Sequence, residues 1–335
     1  MRQERPAAHV QGTTAMIGAR AVYLSDDDLA GLDIGPEDIR RAIEAALLRK
    51  AADSINVAPK AAVLPGSGRY MMTTLSTGDD PDLTVVKSVM VSPENPGRGL
   101  PGITGSILVQ DSQSGVLRAV MDAGWITAVR TAGLSAVAAR RMANPASATI
   151  GFVGCGVQAR SHLQAFRALF PLKQAVLLGR SPAGVAGFRD YVQEQDLGAR
   201  VAAAPEDLLR EADIVVTSIT LSYDTAPFLD ARQMKPGAFA AITDLAVPWV
   251  SDGNSAFASL VIDDHEQEAS SPTPMVDPAL VSADLTELVN GSFDARYDPA
   301  HPSAFAFRGI AIGDYAATVL ALKKADAAGV GKPMG

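Results

Sequence analysis

Two basic side chains lie where the surrounding residue pattern predicts apolar ones. Lys87 shares one face of a predicted strand over residues 83–91 with valine and leucine side chains, and Arg130 lies within the apolar stripe of a predicted helix over residues 125–143. Burying a charge is costly unless the charge is paired. The alternatives are an internal salt bridge, a head group that reaches solvent, or an anionic ligand. Because no obvious acid partner lies nearby in the sequence, we favour a ligand, and a carboxylate pairs best with arginine.

A carboxylate marks the end of another predicted strand. Asp244 comes directly after the apolar run 238–243. In open α/β sheets the carboxyl ends of the strands form the ligand crevice, so an acid there could hold a substrate amine or exchange a proton. The alternative is a helix cap or a turn former. We interpret Asp244 as a candidate catalytic residue.

A glycine-rich turn predicts a dinucleotide site. The apolar run 148–153 leads into Gly154-x-Gly156-x-x-Ala159 and then into a predicted helix. In that context the first glycine permits a tight turn, the second lets backbone N–H groups approach a pyrophosphate, and the helix N-terminus favours negative charge. A plain strand–helix turn is the alternative. The residues predicted to contact the cofactor are Thr104, Gly154, Gly156, Val157, Gln158, Gly179, Arg180, Ser181 and Ser218.

The end of the next predicted strand bears on which dinucleotide binds. NAD sites usually carry an acid about 20 residues beyond the glycines, where it holds the ribose 2′-hydroxyl. The run 175–178 is followed here by Gly179-Arg180-Ser181, which contains no carboxylate. Arg180 and Ser181 could instead receive a 2′-phosphate. We therefore favour NADP over NAD, although some NAD sites also lack the acid.

The predicted elements divide the chain into two kinds of structure. The first third consists mainly of predicted strands, with one or two helices. Beyond residue 148, strands alternate with helices, which indicates an open parallel sheet. A closing helix over residues 310–327 is predicted to return to the first domain. The length of 335 residues leaves room for about two domains.

The composition is that of an ordinary globular protein and excludes several classes. The net charge of −8 argues against a nucleic-acid surface, and no run of about 18 apolar residues indicates a membrane span. Cys155 is the only cysteine and the first residues lack the apolar core of a signal peptide, so we expect a cytoplasmic protein. The four histidines show no metal-ligand spacing, so no metal site is predicted. The acidic residues within 263–268 are interpreted as a solvated strand end.

Taken together, these motifs resemble the ornithine cyclodeaminase/mu-crystallin family. The resemblance is carried by residues 86–101, 127–132 and 154–160, and less closely by 261–267 and 305–317. It implies an α/β fold in which a Rossmann-type parallel sheet domain is inserted in a discontinuous α+β substrate and dimerisation domain, and it implies a homodimer. On this basis residues 1–130 plus 305–335 form the substrate-binding and dimerisation domain, and residues 131–304 form the Rossmann dinucleotide-binding domain.

The resemblance also implies roles for individual residues. By position, Lys60, Lys87 and Arg130 match the family's substrate-carboxylate and catalytic cations. Asp244 matches its catalytic acid beside the nicotinamide. Lys60 alone is a weaker signal, because it simply follows a proline after an extended run.

The departures from the family pattern weaken the transfer of ornithine specificity. Gly102 stands where a threonine is usual, and the family's Phe-Lys-Ser run reads Phe305-Ala306-Phe307-Arg308. The segment around the acid reads Thr243-Asp244-Leu245-Ala246 rather than the cyclodeaminase's Gly-Asp-x-Pro.

We therefore expect an NAD(P)-dependent oxidoreductase that reduces the C=N bond of a small 2-imino acid, or the reverse amino-acid dehydrogenase. Its partner would be a small anionic imino or amino acid, and iminosuccinate and cyclic ketimine carboxylates are both compatible. Lys60 and Arg130 would clamp the carboxylate, with Arg308 as an additional anion contact. The alternatives are an ornithine-type cyclodeaminase, which releases ammonia without net cofactor turnover, and a non-catalytic NADPH-dependent binding protein like mu-crystallin.

Overall fold

The computed structural model describes residues 20–222 and 224–335, whose strands form two sheets. In chain order the strands are β1 (Val22–Leu24), β2 (Ile55–Gly66), β3 (Arg69–Asp79), β4 (Asp82–Val91), β5 (Ile103–Asp111), β6 (Leu117–Asp122), β7 (Thr149–Val153), β8 (Gln174–Leu178), β9 (Gly198–Val201), β10 (Ile214–Thr217), β11 (Phe239–Ile242), β12 (Ser259–Ile262), β13 (Ala283–Asp284), β14 (Ser303–Ala306) and β15 (Lys332–Pro333). The α-helices are α1 (Asp26–Ala30), α2 (Pro36–Ala51), α3 (Gly124–Met142), α4 (Val157–Arg167), α5 (Pro182–Gln193), α6 (Pro205–Glu211), α7 (His265–Ala269), α8 (Leu285–Asn290) and α9 (Ala311–Ala328).

The first sheet has seven strands in the order β15-β1-β6-β5-β4-β3-β2. All its pairs are antiparallel except β1 with β6. Strand alternation gives it an inner face, on which Val85 and Val89 are buried and against which α9 packs. The register aligns Thr74, Lys87 and Ile107 on this face. Lys87 is therefore directed into the core, as the alternation in its strand predicted.

The second sheet is parallel throughout, in the order β13-β12-β14-β11-β10-β7-β8-β9. Its central strands β10 and β11 are buried at every position, as expected for a parallel sheet that is covered on both faces. Because the strands run in one direction, their carboxyl ends form one edge. Along this edge lie, in spatial order, Asp263, Phe307, Asp244, Ser218 and the glycine turn after β7.

Helix α3 links the two sheets and carries Arg130. It follows β6 directly and packs against α2, α4 and α9. Close packing depends on small residues, because a methyl group on Gly133 would lie only 2.7 Å from the Ile39 side chain. The N-terminus of the helix is capped from another element, since Trp125 N donates to Asp26 Oδ1 at 2.7 Å. The position of Arg130 is thus fixed both at the start of its helix and along its sides.

The expected α/β fold with a parallel sheet is confirmed. The predicted helices 125–143 and 310–327 correspond to α3 and α9. The division after residues 130 and 304 stays a prediction, and these positions fall inside α3 and β14, respectively. Within residues 20–222 and 224–335, no helix combines the length and apolar character that crossing a bilayer requires.

Candidate active site

The carboxylate of Asp314 lies between two basic side chains, Lys87 and Arg130, on the inner face of the first sheet. Asp314 of α9 is 1 % exposed and Lys87 of β4 is fully buried. Lys87 Nζ donates a hydrogen bond to Asp314 Oδ1 at 2.6 Å. Arg130 Nε lies 2.9 Å from the same oxygen, and Thr74 Oγ1 donates to Asp314 Oδ2 at 2.9 Å. One carboxylate therefore faces two buried cations.

Two nitrogen atoms of the Arg130 guanidinium, Nε and Nη1, donate no hydrogen bond to a protein acceptor. Although its Nε is within ion-pair distance of Asp314, the two groups are not aligned for a hydrogen bond, and Nη1 is buried without a partner. The ring of Phe307 covers the guanidinium, with its centroid 5.2 Å from Arg130 Cζ. Buried donors without an acceptor are costly, so this geometry favours a ligand that accepts hydrogen bonds.

Lys60 on β2 contributes a third cation. Its Nζ donates to the carbonyl oxygen of Arg308 at 2.6 Å, and its backbone N donates to Gln267 Oε1 at 2.6 Å. A methyl group built on Gly309 would lie 3.5 Å from Lys60 Nζ and 3.8 Å from Arg130 Nη1. Both cations therefore border the small space beside Gly309. We call Lys60, Lys87 and Arg130 the cation cluster.

Burial, together with the neighbouring positive charges, lowers the pKa values of both lysines. Burial and then repulsion from Arg130 lower the pKa of Lys87 to about 7, against the opposing attraction of Asp314. Burial likewise lowers the pKa of Lys60 to about 8, although Asp263 opposes the shift. An anion bound among these groups would raise both pKa values again, because it favours the charged forms.

Asp244 lies at the carboxyl end of β11 and is 3 % exposed. Its Oδ1 accepts from Thr217 Oγ1 at 2.9 Å and its Oδ2 from Ile219 N at 3.1 Å. Burial raises the pKa of Asp244 to about 6, even though these hydrogen bonds oppose the shift. Phe307 N donates to Ile242 O at 2.9 Å, so the segment that covers Arg130 runs beside the strand that ends at Asp244. The acid thus lies at the strand end next to the segment whose Phe307 ring covers Arg130 of the cation cluster.

The glycine turn has the shape that a dinucleotide requires. Gly154 has a φ of +97°, and a methyl group there would lie 2.5 Å from the carbonyl oxygen of Ser218. Gly156 caps α4, and a methyl group on it would meet nothing within 4 Å. Ser218 Oγ and Gln158 Oε1 are buried without hydrogen-bond partners. An open helix N-terminus flanked by two unpartnered polar atoms fits a pyrophosphate-bearing cofactor.

Three further predicted cofactor contacts follow β8, the neighbour of β7. Gly179 and Arg180 are exposed, and Ser181 caps α5 through a hydrogen bond from Gly184 N to Ser181 Oγ at 3.3 Å. They are close to the glycine turn, because Gly154 N donates to the carbonyl oxygen of Leu178 at 2.8 Å. Val157, in the first turn of α4, is also exposed.

Thr104 and Arg308 are the remaining predicted site residues. Thr104 is exposed on the outer face of β5, whereas Lys87 faces inward, and the cofactor contact of Thr104 stays a prediction. The Arg308 side chain points to Glu268, with 2.7 Å between Nε and Oε2. Its use as an additional anion contact stays a prediction, and in this structure the side chain pairs with Glu268. The Arg308 backbone carbonyl receives Lys60.

Two acids in the site were not recognised from the sequence. Asp314 is a buried partner of the cations that local charge pattern does not reveal, although an acid within the apolar run 309–317 is a usable signal. Asp263 was read as part of a solvated strand end, and that reading is wrong because it is fully buried. Its Oδ2 accepts from Arg308 N at 3.1 Å and from Gly309 N at 2.7 Å.

Comparison with known proteins accounts for this combination of features. The model of the ornithine cyclodeaminase/mu-crystallin family matches residues 32–328. The chain belongs to this family. The resemblance noted in the sequence is thereby confirmed, and the dinucleotide turn, the cation cluster and Asp244 can be considered as parts of one site in a family member.

Relatives of the chain within the family include two reductases. The chain is 31 % identical over 271 residues to the Delta(1)-pyrroline-2-carboxylate/Delta(1)-piperideine-2-carboxylate reductase of Azospirillum brasilense, a match that covers 78 % of this chain and 83 % of the relative. It is 29 % identical over 243 residues to the ketimine reductase mu-crystallin of Mus musculus, with 71 % and 75 % covered.

A solved structure shares the fold across nearly the whole chain. The Thermococcus litoralis Delta(1)-pyrroline-2-carboxylate reductase, in complex with NADH and L-proline, superposes with a TM-score of 0.85 at 24 % identity. The match covers 93 % of this chain and 100 % of that one. The fold expected from the family resemblance is therefore confirmed.

The substitution Asp314→Ala would leave Lys87 and Arg130 without the carboxylate that lies between them. We expect the free energy of unfolding to fall by about 3–5 kcal/mol, the usual cost of removing one partner from a buried ion pair. Urea denaturation at neutral pH measures this change. Asp326→Ala, which removes an exposed acid from the same helix, is the matched control and should alter stability by no more than about 0.5 kcal/mol. Equal stability of the two variants would contradict the role given to Asp314.

Proposed function

We propose that this member of the family uses NAD(P)H to reduce the C=N bond of a small 2-imino acid, giving the 2-amino acid. The observation that carries the proposal is the cation cluster, whose Arg130 lies under the ring of Phe307, on the same sheet edge as Asp244 and the dinucleotide turn. A carboxylate held by the cluster would bring the adjacent imine carbon within reach of both the acid and the cofactor. The names of the reductases from Azospirillum brasilense and mouse support the same chemistry.

The side chains divide the work of the reaction. When bound, the nicotinamide cofactor supplies the hydride that reduces the imine carbon. Arg130 and Lys60 hold the substrate carboxylate, and Lys87 adds a charge that can also provide a proton. Ionised Asp244 stabilises the positive charge of the protonated imine nitrogen. Because Lys87 and Asp244 are buried, these interactions act in a medium that screens charge poorly.

The balance of charge supports a substrate with one carboxylate. The three cations of the cluster face two buried acids, Asp314 and Asp263, which leaves one positive charge unbalanced. A single substrate carboxylate would complete the balance. A second carboxylate would need another cation, and Arg308 is already paired with Glu268. Of the substrates compatible with the sequence, we therefore favour a cyclic ketimine monocarboxylate over iminosuccinate.

A substrate screen tests the function directly. The protein is incubated with NADH or NADPH and with Delta(1)-pyrroline-2-carboxylate, Delta(1)-piperideine-2-carboxylate or iminosuccinate, and oxidation of the cofactor is followed by absorbance. We expect kcat/KM for a cyclic ketimine to exceed that for iminosuccinate by at least about tenfold, the effect of one poorly compensated charge. Release of ammonia from ornithine without net change in cofactor absorbance would contradict the reductase and favour a cyclodeaminase.

We further propose that the cofactor is NADP rather than NAD. The support is the exposed Arg180 at the end of β8, next to Ser181 and without a neighbouring carboxylate in the turn 179–181. Arg180→Ala should raise KM for NADPH by about tenfold, the loss of one charge-assisted hydrogen bond, and should change KM for NADH much less. Arg189→Ala, which alters an exposed arginine on α5, is the matched control. Equal effects of Arg180→Ala on both cofactors would defeat the proposal.

The pKa values of the site predict a narrow pH optimum for kcat/KM. Activity should rise through about pH 6 as Asp244 ionises and fall above about pH 7 as Lys87 loses its proton. Because a bound carboxylate raises the pKa of Lys87, the alkaline limb of kcat should lie at higher pH than that of kcat/KM. Initial rates across this pH range measure both limbs. Coincident alkaline limbs, or the absence of an alkaline limb near pH 7, would argue against a charged Lys87 in substrate binding.

We also propose a homodimer formed through the outer face of the first sheet, within the substrate-binding and dimerisation domain. The register places Leu75 and Leu108 in one row of that face, and Val63 pairs with Met71 in another. All four side chains are exposed, and exposed apolar side chains on one sheet face are typical of an interface. With a single cysteine in the chain, a reducing cytoplasmic location is our proposal for the compartment.

A further inference from the structure

The peptide group between Arg308 and Gly309 is held from both sides by charged residues. Gly309 N donates to Asp263 Oδ2 at 2.7 Å. The carbonyl oxygen of the same peptide, that of Arg308, accepts from Lys60 Nζ at 2.6 Å. Since the N–H and C=O of a trans peptide point in opposite directions, Asp263 and Lys60 lie on opposite sides of one rigid plane. A carboxylate at one end and an ammonium at the other polarise the peptide in the same sense.

The backbone conformation around this peptide favours the orientation in which its N–H points to Asp263 and its C=O to Lys60. Gly309 has a φ of +110°, a conformation that residues with a side chain rarely adopt. Arg308 N also donates to Asp263 Oδ2, at 3.1 Å, so the acid holds two successive N–H groups. The strands before these segments are paired, with Ile262 opposite Ala306. Asp263 is thus placed by the sheet itself and not by a loose loop.

The other end of this arrangement reaches the substrate space. Lys60 and Arg130 border the space beside Gly309, where we place the substrate carboxylate. The main chain of Lys60 is held as well, because its N–H donates to Gln267 Oε1 at 2.6 Å, and Gln267 lies only four positions after Asp263. One ammonium proton is therefore committed to the Arg308 carbonyl, which limits the directions that remain for the other two.

We infer that Asp263 is a positioning residue, which orients the Arg308–Gly309 peptide so that its carbonyl fixes Lys60 for the substrate carboxylate. The inference rests on the proposed function. Asp263 has no direct contact with substrate in this scheme and takes no part in hydride transfer. Its removal therefore weakens carboxylate binding through Lys60 and leaves the chemical step nearly unchanged.

The test compares two substitutions of Asp263 by steady-state kinetics with a cyclic ketimine carboxylate. Asp263→Ala should raise KM by about tenfold and change kcat by less than about twofold, because one anchoring interaction of a binding group is lost. Asp263→Asn should recover most of the KM, since its carboxamide oxygen can accept the same two N–H groups. Glu266→Gln is the matched control, because it alters an exposed acid three positions further along the chain and leaves the Arg308–Gly309 peptide unchanged.

A double-mutant cycle shows whether Asp263 acts through Lys60. In a Lys60→Ala background, Asp263→Ala should raise KM no further. Additive effects, an unchanged KM for Asp263→Ala, or a loss of kcat as large as the rise in KM would each overturn the inference. An Asp263→Asn variant as poor as Asp263→Ala would also overturn it, because charge and not peptide orientation would then be decisive.

Two further measurements keep the inference testable on its own. If Asp263→Ala does not fold, Asp263→Ser keeps a polar group at this strand end, but its side chain is one bond too short to reach the two N–H groups that Asp263 holds. It should also raise KM, and an unchanged KM would count against the inference. If the wild-type protein reduces no imine, the proposed function fails. The variants are then compared by the dissociation constant of L-proline with NADP present, measured by calorimetry. A constant for Asp263→Ala equal to that of the wild type would then overturn the inference separately.

Discussion

A buried carboxylate, that of Asp314, is the interaction on which the site depends. It joins β4, α3 and α9 by contacting Lys87 and Arg130 together. Each contact is strong because the groups are shielded from water, but one negative charge cannot satisfy two cations. The ion pair is therefore incomplete within the protein, since Arg130 Nε and Nη1 have no hydrogen-bond acceptor. An anion beside Lys87 and Arg130 would complete it, before any detail of the substrate is considered.

The residues that follow neighbouring strands of the parallel sheet lie in a row along one edge of that sheet. Adjacent strands lie about 4.8 Å apart, so each strand end along the edge is one step further from the dinucleotide turn. Ser218, Asp244 and Phe307 follow the neighbouring strands β10, β11 and β14, and Asp263 follows β12 beyond them. The order of strands thus sets the order of the groups along this edge, from the dinucleotide turn to Asp244 and then to Phe307, whose ring covers Arg130.

The local sequence pattern was sufficient to predict which charged residues lie on otherwise apolar faces. Lys87 and Arg130 could be found because alternation and helical periodicity mark positions that must be buried, and Asp244 because it ends a strand. Asp263 was misread because consecutive acids usually lie in solvent, and only the strand order reveals that β12 is inside the sheet. Arg308 pairs with Glu268, which lies 40 positions away in the chain. Helical and strand periodicity relate only nearby residues, so the sequence pattern could not predict this ion pair.

The separation of the ion pair along the chain has a consequence for how the protein is made. Asp314 follows Lys87 by 227 positions. At 5–20 residues per second, a ribosome needs about 10–45 s to reach the acid after it has added the lysine. Throughout that time the inner face of the first sheet carries a charge without its counterpart. The parallel sheet receives its interior strand β14 only eight positions before Asp314. The earliest part of the nascent chain is therefore not finished first: the first sheet can close only after the second has been synthesised.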